Sequence, residues 1–129
     1  ATSTLNPASD DDVVVNTPTD YGNSYPVGQC TWGVKELAPW ASNWWGNANT
    51  WAIYASAQGY RVGDVPVVGA IAVWDGGEYG HVAYVTDVQN ENSIQVLEAN
   101  YRRQKQIANY RGFFNPHEFL GKVTYIYPN

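Results

Sequence analysis

Residues 81–100, HVAYVTDVQNENSIQVLEAN, consist of two apolar stretches separated by a polar segment. Both stretches are rich in β-branched residues, which favour strands, and the polar residues 89–92 between them are typical of a turn. We therefore predict an antiparallel hairpin in which Val88 pairs with Ser93 across a four-residue turn. This hairpin decides the fold, because it commits the second half of the chain to an antiparallel sheet.

The predicted register brings polar side chains together at the open end of the hairpin. His81 lies opposite Asn100, and Glu98 is the diagonal neighbour of His81 on the same face of the sheet. Diagonal neighbours are about 7–8 Å apart, which a long side chain can bridge. A register shifted by one residue would place His81 and Glu98 on opposite faces, so the predicted site depends on this pairing.

The flanking sequence adds helices before the hairpin and strands around it. Apolar residues at helical spacing predict a helix that begins at Gln29 or Cys30, and a second helix is predicted over residues 50–58. Further strands are predicted over residues 69–74 and 123–127. Helices followed by an antiparallel sheet are typical of the α+β class.

Cys30 is the only cysteine of the chain, and it lies in residues 28–32 (GQCTW) at the predicted start of the first helix. A single thiol cannot form an internal disulfide, so it is either a small buried apolar residue or a nucleophile. The positive end of a helix dipole stabilises a thiolate. A structural cysteine is the more common case, but the predicted position of His81 and Glu98 on the same face of the sheet favours a nucleophilic role for Cys30.

Each residue of the candidate site has a role in acyl transfer. Cys30 is the predicted nucleophile, His81 takes the thiol proton and returns it to the leaving amine, and Glu98 orients the imidazole. Asn100 is predicted to orient His81 or to support the site. The backbone N–H of Cys30, together with the side chain of Gln29, is predicted to stabilise the oxyanion.

Three aromatic residues are candidate substrate contacts. Trp44 and Trp45 are adjacent in a loop rich in Gly and Asn, and both cannot easily point inward. One of them is therefore expected to line a groove and to stack on a sugar or peptide. Tyr79, two residues before His81, is expected to border the same cleft.

The remaining polar residues have structural interpretations. His117 lies in a predicted turn and is expected at the surface. Arg102, Arg103 and Lys105 form a basic cluster that we interpret as a solvated loop in preference to a contact with carboxylates of a peptide or an anionic polymer. One cysteine and two distant histidines give none of the usual ligand spacings, so no metal or other cofactor is predicted.

Length and charge restrict the domain organisation. The chain has 129 residues, which suits one domain, and a net charge of −5. Residues 1–20 contain four acids and no Lys or Arg, which leaves residues 21–129 nearly neutral and argues against nucleic-acid binding. No apolar run approaches the ~18 residues that span a membrane. No signal peptide is recognisable, so a secreted form would be a mature or excised fragment.

Residues 1–20 mix Ser, Thr, Asn, Pro and Asp, a composition typical of a linker. We predict a flexible linker or arm over residues 1–20 and a single folded domain over residues 21–129. An ordered edge strand through residues 13–15 (VVV) is the less favoured alternative.

Four motifs, in this order, resemble the CHAP family, the cysteine- and histidine-dependent amidohydrolases and peptidases that cut bacterial cell walls. They are residues 28–32 (GQCTW), 69–74 (GAIAVW), 79–83 (YGHVA) and 97–100 (LEAN). The resemblance covers about residues 25–129. The Trp-rich segment and the C-terminal YIYPN are most similar to CHAP domains of secreted streptococcal wall hydrolases involved in cell separation.

The resemblance implies a papain-like α+β fold, with N-terminal helices packed on an antiparallel sheet. It implies an enzyme that cleaves a peptidoglycan amide through an acyl-enzyme, with Cys30 as nucleophile, His81 as base, Glu98 as orienting acid and Asn100 as the fourth polar residue. The bond is either the muramoyl–L-alanine amide or a peptide bond, and the endopeptidase is slightly favoured. We expect a secreted autolysin at the cell wall, with a preceding coiled-coil region as partner.

The family pattern also has variants to which this chain can be compared. Some phage-lysin relatives carry an acidic calcium loop before the cysteine, but residues 20–25 contain one carboxylate, so no calcium is predicted. The alternative function is a non-catalytic wall- or glucan-binding module that uses exposed Trp and Tyr. A cytosolic thiol acyltransferase is a third hypothesis, and the linker-like acidic segment weakens it.

Overall fold

The structure, a computed structural model, describes residues 22–129. It contains two helices, α1 (Cys30–Leu37) and α2 (Trp51–Ala57), and a short 3-10 turn at Ala48–Thr50 leads into α2. Helices in the first half and a sheet in the second half confirm the predicted α+β class. The predicted linker and the alternative strand at residues 13–15 lie outside the described residues.

Five antiparallel strands form one sheet in the order β1-β5-β2-β3-β4. Their bounds are Val62–Gly63, Ile71–Trp74, His81–Asn90, Ser93–Leu97 and Val123–Ile126 for β1 to β5. The two-residue edge strand β1 was not predicted, because two residues carry no alternation of apolar and polar side chains. A second 3-10 turn, Pro116–Glu118, precedes β5. Within residues 22–129, no helix is long and apolar enough to cross a membrane.

The β3–β4 hairpin differs from the prediction at its turn. The predicted pairing of Val88 with Ser93 is wrong, because Ser93 pairs with Asn90 and the turn contains two residues instead of four. Two irregularities in β3 absorb the two extra residues. Beyond them, Tyr84 pairs with Leu97, which is the predicted register at the end of the hairpin where the candidate site lies.

Helix α1 packs directly on β3 and on the segment that follows β4. A Cβ atom on Gly33 would lie 2.8 Å from the Cβ of Ala99, so only glycine permits this close approach. Cys30 and Val34 face the core, and the helix ends before Pro39, which cannot continue it. This packing places the first residue of α1 over the open end of the β3–β4 hairpin.

Candidate active site

Cys30 is the first residue of α1, as predicted. Gly28 has φ +91°, a left-handed conformation that glycine adopts readily, and it turns the chain into the helix. The side chain of Cys30 is 9% exposed and forms no disulfide. The thiol therefore lies at the positive end of the helix dipole with one side open to the cleft.

His81 is the first residue of β3, and the loop before it is tightly held. Gly80 has φ +74°, and a Cβ atom there would lie 2.6 Å from the carbonyl oxygen of Trp74 and 2.7 Å from the backbone nitrogen of Asn49. The N–H of Asn49 donates to the carbonyl oxygen of Tyr79 over 2.9 Å. These contacts determine the direction in which the His81 ring enters the site.

The structure brings Cys30, His81 and Glu98 together. The His81 Nε2 atom is 2.9 Å from the Glu98 Oε1 atom, and Cys30 lies close enough to His81 to raise the pKa of its imidazole. Because Glu98 occupies Nε2, the Nδ1 atom is the one left for the sulfur. His81 is 7% exposed and Glu98 is fully buried.

Burial and charge act in opposite directions on this cluster. Burial by itself would lower the pKa of His81, but the hydrogen bonds with Cys30 and Glu98 and their negative charges raise that pKa to about 9. Burial would raise the pKa of Glu98, but Arg111 and His81 hold that pKa below its usual value. His81 is therefore positively charged at neutral pH, and Glu98 is negatively charged.

Arg111 completes the cluster, and the sequence analysis missed it. Its Nε donates to Glu98 Oε2 over 2.9 Å, and its Nη2 donates to Glu98 Oε1 over 2.6 Å. The signal that could have revealed Arg111 is Glu98 itself, because a carboxylate on an otherwise buried strand needs a charged partner. The isolated bridge between Glu98 and Ala108 brings Arg111 alongside Glu98.

The side chain of Asn100 forms its hydrogen bonds with Gln29 and Lys105, whereas His81 was the predicted partner. The Lys105 Nζ, which can only donate, lies 2.9 Å from Asn100 Oδ1. The Asn100 amide nitrogen therefore donates to Gln29 Oε1, over 3.4 Å. Gln29 thus accepts through its oxygen, which leaves its amide nitrogen as a donor for another partner.

The aromatic candidates differ in position. Trp45 is fully buried and donates its indole N–H to Gln58, so its prediction as a substrate contact is wrong. Trp44 is 81% exposed, but it is not among the residues that line the cleft. Tyr79 is exposed and lines the cleft. His117 is exposed, in the second 3-10 turn.

An open cleft of about 1050 Å³ gives access to the cluster. Its lining includes Cys30, His81, Gln29 and Asn100, and Arg102 and Glu118 add charges of opposite sign. Arg102 is the one member of the basic cluster that reaches the cleft. Within residues 22–129, no three His, Cys, Asp or Glu side chains converge as metal ligands.

The fold and the cluster define a class, a papain-like α+β domain with a Cys–His–Glu cluster at its cleft. The model of the CHAP domain family matches residues 20–100. The chain belongs to the CHAP domain family, as its motifs predicted.

Two curated relatives have substantial sequence identity to this chain. A Streptococcus mutans protein, named in general terms as a hydrolase, is 59% identical over 109 residues, which are 83% of this chain and 52% of that protein. The N-acetylmuramoyl-L-alanine amidase sle1 of Staphylococcus aureus is 44% identical over 101 residues, 74% of this chain and 30% of the amidase. The chain thus spans about half the length of the first relative and less than a third of the second.

Solved structures have the same fold. An N-acetylmuramoyl-L-alanine amidase from Staphylococcus aureus superposes with a TM-score of 0.70 at 28% identity, over 88% of this chain and 35% of that one. The crystal structure of Ly7917 matches with a TM-score of 0.58 at 20% identity, over 83% of this chain and 56% of that one, and shows the fold alone.

Proposed function

We propose that this domain is a peptidoglycan hydrolase in which Cys30 attacks an amide carbonyl. The observation that carries the proposal is the buried cluster in which His81, hydrogen-bonded to Glu98, lies beside Cys30 at an open cleft. Family membership and the amidase names of the Staphylococcus aureus relatives support a cell-wall amide as the substrate.

The reaction follows from the geometry of the cluster. The Cys30 thiolate attacks the carbonyl carbon, and the tetrahedral oxyanion accepts hydrogen bonds from the Cys30 backbone N–H and the Gln29 amide nitrogen. His81, held by Glu98, transfers its proton to the leaving amine as the C–N bond breaks. Water, deprotonated by the now neutral His81, then hydrolyses the thioester and restores the thiolate–imidazolium pair.

The bond cleaved is the amide between N-acetylmuramic acid and L-alanine. The names of the Staphylococcus aureus relatives favour it over a peptide bond of the stem or cross-bridge. The open cleft has room for a branched glycopeptide, and Tyr79 offers an exposed ring at its border. The domain of residues 21–129 acts outside the cell membrane, joined through the linker of residues 1–20 to other parts of a longer protein.

The test is digestion of purified streptococcal peptidoglycan with the native domain and with Cys30→Ala, followed by mass spectrometry of the soluble fragments. We expect fragments with a free L-alanine amine from the native domain alone, since the variant lacks the nucleophile. Cuts within the peptide would show an endopeptidase. Equal release by both proteins contradicts the proposal, and equal wall binding without release by either indicates a binding module.

A further inference from the structure

Arg111 is the charged residue of the cluster that the mechanism above does not use. It lies outside residues 20–100, the range that the family model matches. Its side chain is 9% exposed, and both of its hydrogen bonds to a carboxylate go to Glu98. Such a paired fork fixes both the position and the rotation of a carboxylate, which a lysine cannot do.

Aromatic rings surround the guanidinium and cover most of its surface. Its central carbon lies 4.2 Å from the ring centre of Tyr101, 4.0 Å from that of Phe114 and 4.1 Å from that of Phe119. Phe119 also packs edge-on against the His81 ring, with ring centres 5.6 Å apart. Arg111 and His81 thus share one largely buried aromatic environment beside the cleft, in which charges are screened less than in water.

The four side chains balance in charge when Cys30 is a thiolate, the form that the proposed mechanism uses. A Cys30 thiolate and an ionised Glu98 carry two negative charges, and an His81 imidazolium and Arg111 carry two positive charges. Without Arg111, the buried cluster with a thiolate would carry a net charge of −1. Loss of a nearby positive charge makes every group of a coupled cluster bind protons more tightly.

We infer that Arg111 is a positioning residue of the site, which fixes Glu98 against His81 and supplies the charge that balances the thiolate. The inference rests on the proposed function for its catalytic meaning, but the charge balance can be tested on the thiol itself. The other charged or titratable groups near the cluster are Tyr79, Tyr101, Tyr110, Arg102, Glu118 and Lys105.

The test uses the fact that Cys30 is the only thiol of the chain. The rate of alkylation by iodoacetamide is measured from pH 4 to 10 for the native domain, for Arg111→Met and for Arg111→Lys. We expect the pH midpoint of alkylation to rise by about one unit or more in Arg111→Met, and less in Arg111→Lys, because lysine retains the charge. A folded Arg111→Met with the native midpoint overturns the inference.

Arg61→Met is the matched control. Arg61 also lies over an aromatic ring, that of Tyr127, with its central carbon 5.3 Å from the ring centre. Its neighbour Val62 begins β1, at the opposite edge of the sheet from β4. We therefore expect Arg61→Met to alkylate with the native midpoint, and an equal shift in both variants would show a general charge effect and contradict the inference.

A second pair of variants is informative even if Arg111→Met fails to fold. Glu98→Gln with Arg111→Met removes both buried charges and leaves neither partner unpaired, so this double variant is expected to fold. Its midpoint should lie at least one pH unit above that of Glu98→Gln alone, because the only difference is the Arg111 charge. Equal midpoints overturn the inference.

The alkylation comparison is separate from wall hydrolysis. A native domain that releases no wall fragments contradicts the proposed function, but alkylation of the Arg111 variants still reports on the charge balance. Conversely, an unchanged midpoint in a folded Arg111→Met overturns the inference even if the native domain digests the wall.

Discussion

In the proposed mechanism, His81 donates the proton that the leaving amine needs, so we expect its protonation to set the alkaline limit of activity. Burial opposes the charged ring, yet the hydrogen bonds and negative charges of Cys30 and Glu98 raise its pKa to about 9. The imidazolium therefore persists at pH values where a free histidine, with a pKa of about 6.5, is neutral. As the pH rises through 9, His81 loses the proton that the proposed mechanism transfers to the leaving amine.

We predict that kcat/KM for a soluble muropeptide falls on the alkaline side with a midpoint near pH 9. Initial rates of the native domain from pH 5 to 11 test this. The other histidine, His117, is exposed in the second 3-10 turn, so His117→Ala should retain the native dependence of kcat/KM on pH. A midpoint near pH 6.5 would show that neighbouring negative charges do not hold the proton on His81.

Among the elements, the turn into β3 depends most on a single backbone conformation. Gly80→Ala introduces a Cβ atom at φ +74° against backbone atoms of Trp74 and Asn49. We predict a loss of more than about 1 kcal/mol in the free energy of unfolding, because the backbone conformation is strained and backbone neighbours cannot yield. We also predict at least a tenfold loss of kcat, because the His81 ring moves away from Cys30.

Gly59→Ala is the control for this prediction. Gly59 has φ +99°, but a Cβ atom there has open space around it. It should therefore show the cost of the backbone conformation without the clash, and it should retain native kcat. Urea unfolding and muropeptide hydrolysis of both variants give the comparison, and a Gly80→Ala variant with native kcat would contradict the positional role of the turn.

The elements also show which parts of the structure the sequence could predict. The start of α1 at Cys30 and the strand face shared by His81 and Glu98 follow from local periodicity, and both predictions are confirmed. The prediction of the hairpin turn was wrong because Gln89 and Asn90, at the exposed end of β3, are both polar and resemble loop residues. Bulges that change the pairing leave no pattern in a single sequence.

At the scale of the whole molecule, Arg111 was missed because long-range packing, and no local pattern, brings it to the site. Arg111 lies in an irregular segment that no periodicity describes, and it reaches Glu98 only because the chain returns along β4 at Ala108. The burial of Trp45 has the same origin, since contacts with Trp51 and Tyr60 from other segments enclose it. The sequence could predict the positions of residues that belong to a periodic helix or strand pattern. It could not predict the positions of residues whose neighbours come from distant parts of the chain.

The buried Glu98–Arg111 pair also makes the free energy of unfolding of the domain depend on pH in the acidic range. Burial alone would raise the pKa of Glu98, but Arg111 and His81 hold it below the value of 4.5 in the unfolded chain. A depressed folded-state pKa contributes stability that is fully present above pH 4.5 and is lost as the pH falls through the folded-state pKa. The native domain should therefore lose stability in this window through Glu98 in particular.

Urea unfolding between pH 5.5 and 2.5 tests this, with Glu98→Gln plus Arg111→Met as the comparison. Both proteins share every other acidic residue, and His81 is protonated in the native domain and in the unfolded chain across this range. We predict that the free energy of unfolding decreases more steeply with acid in the native domain, because only the native domain must protonate Glu98 beside Arg111. Parallel curves would show that the pair leaves the pKa of Glu98 unshifted, and the charge balance around Cys30 would then need another cation.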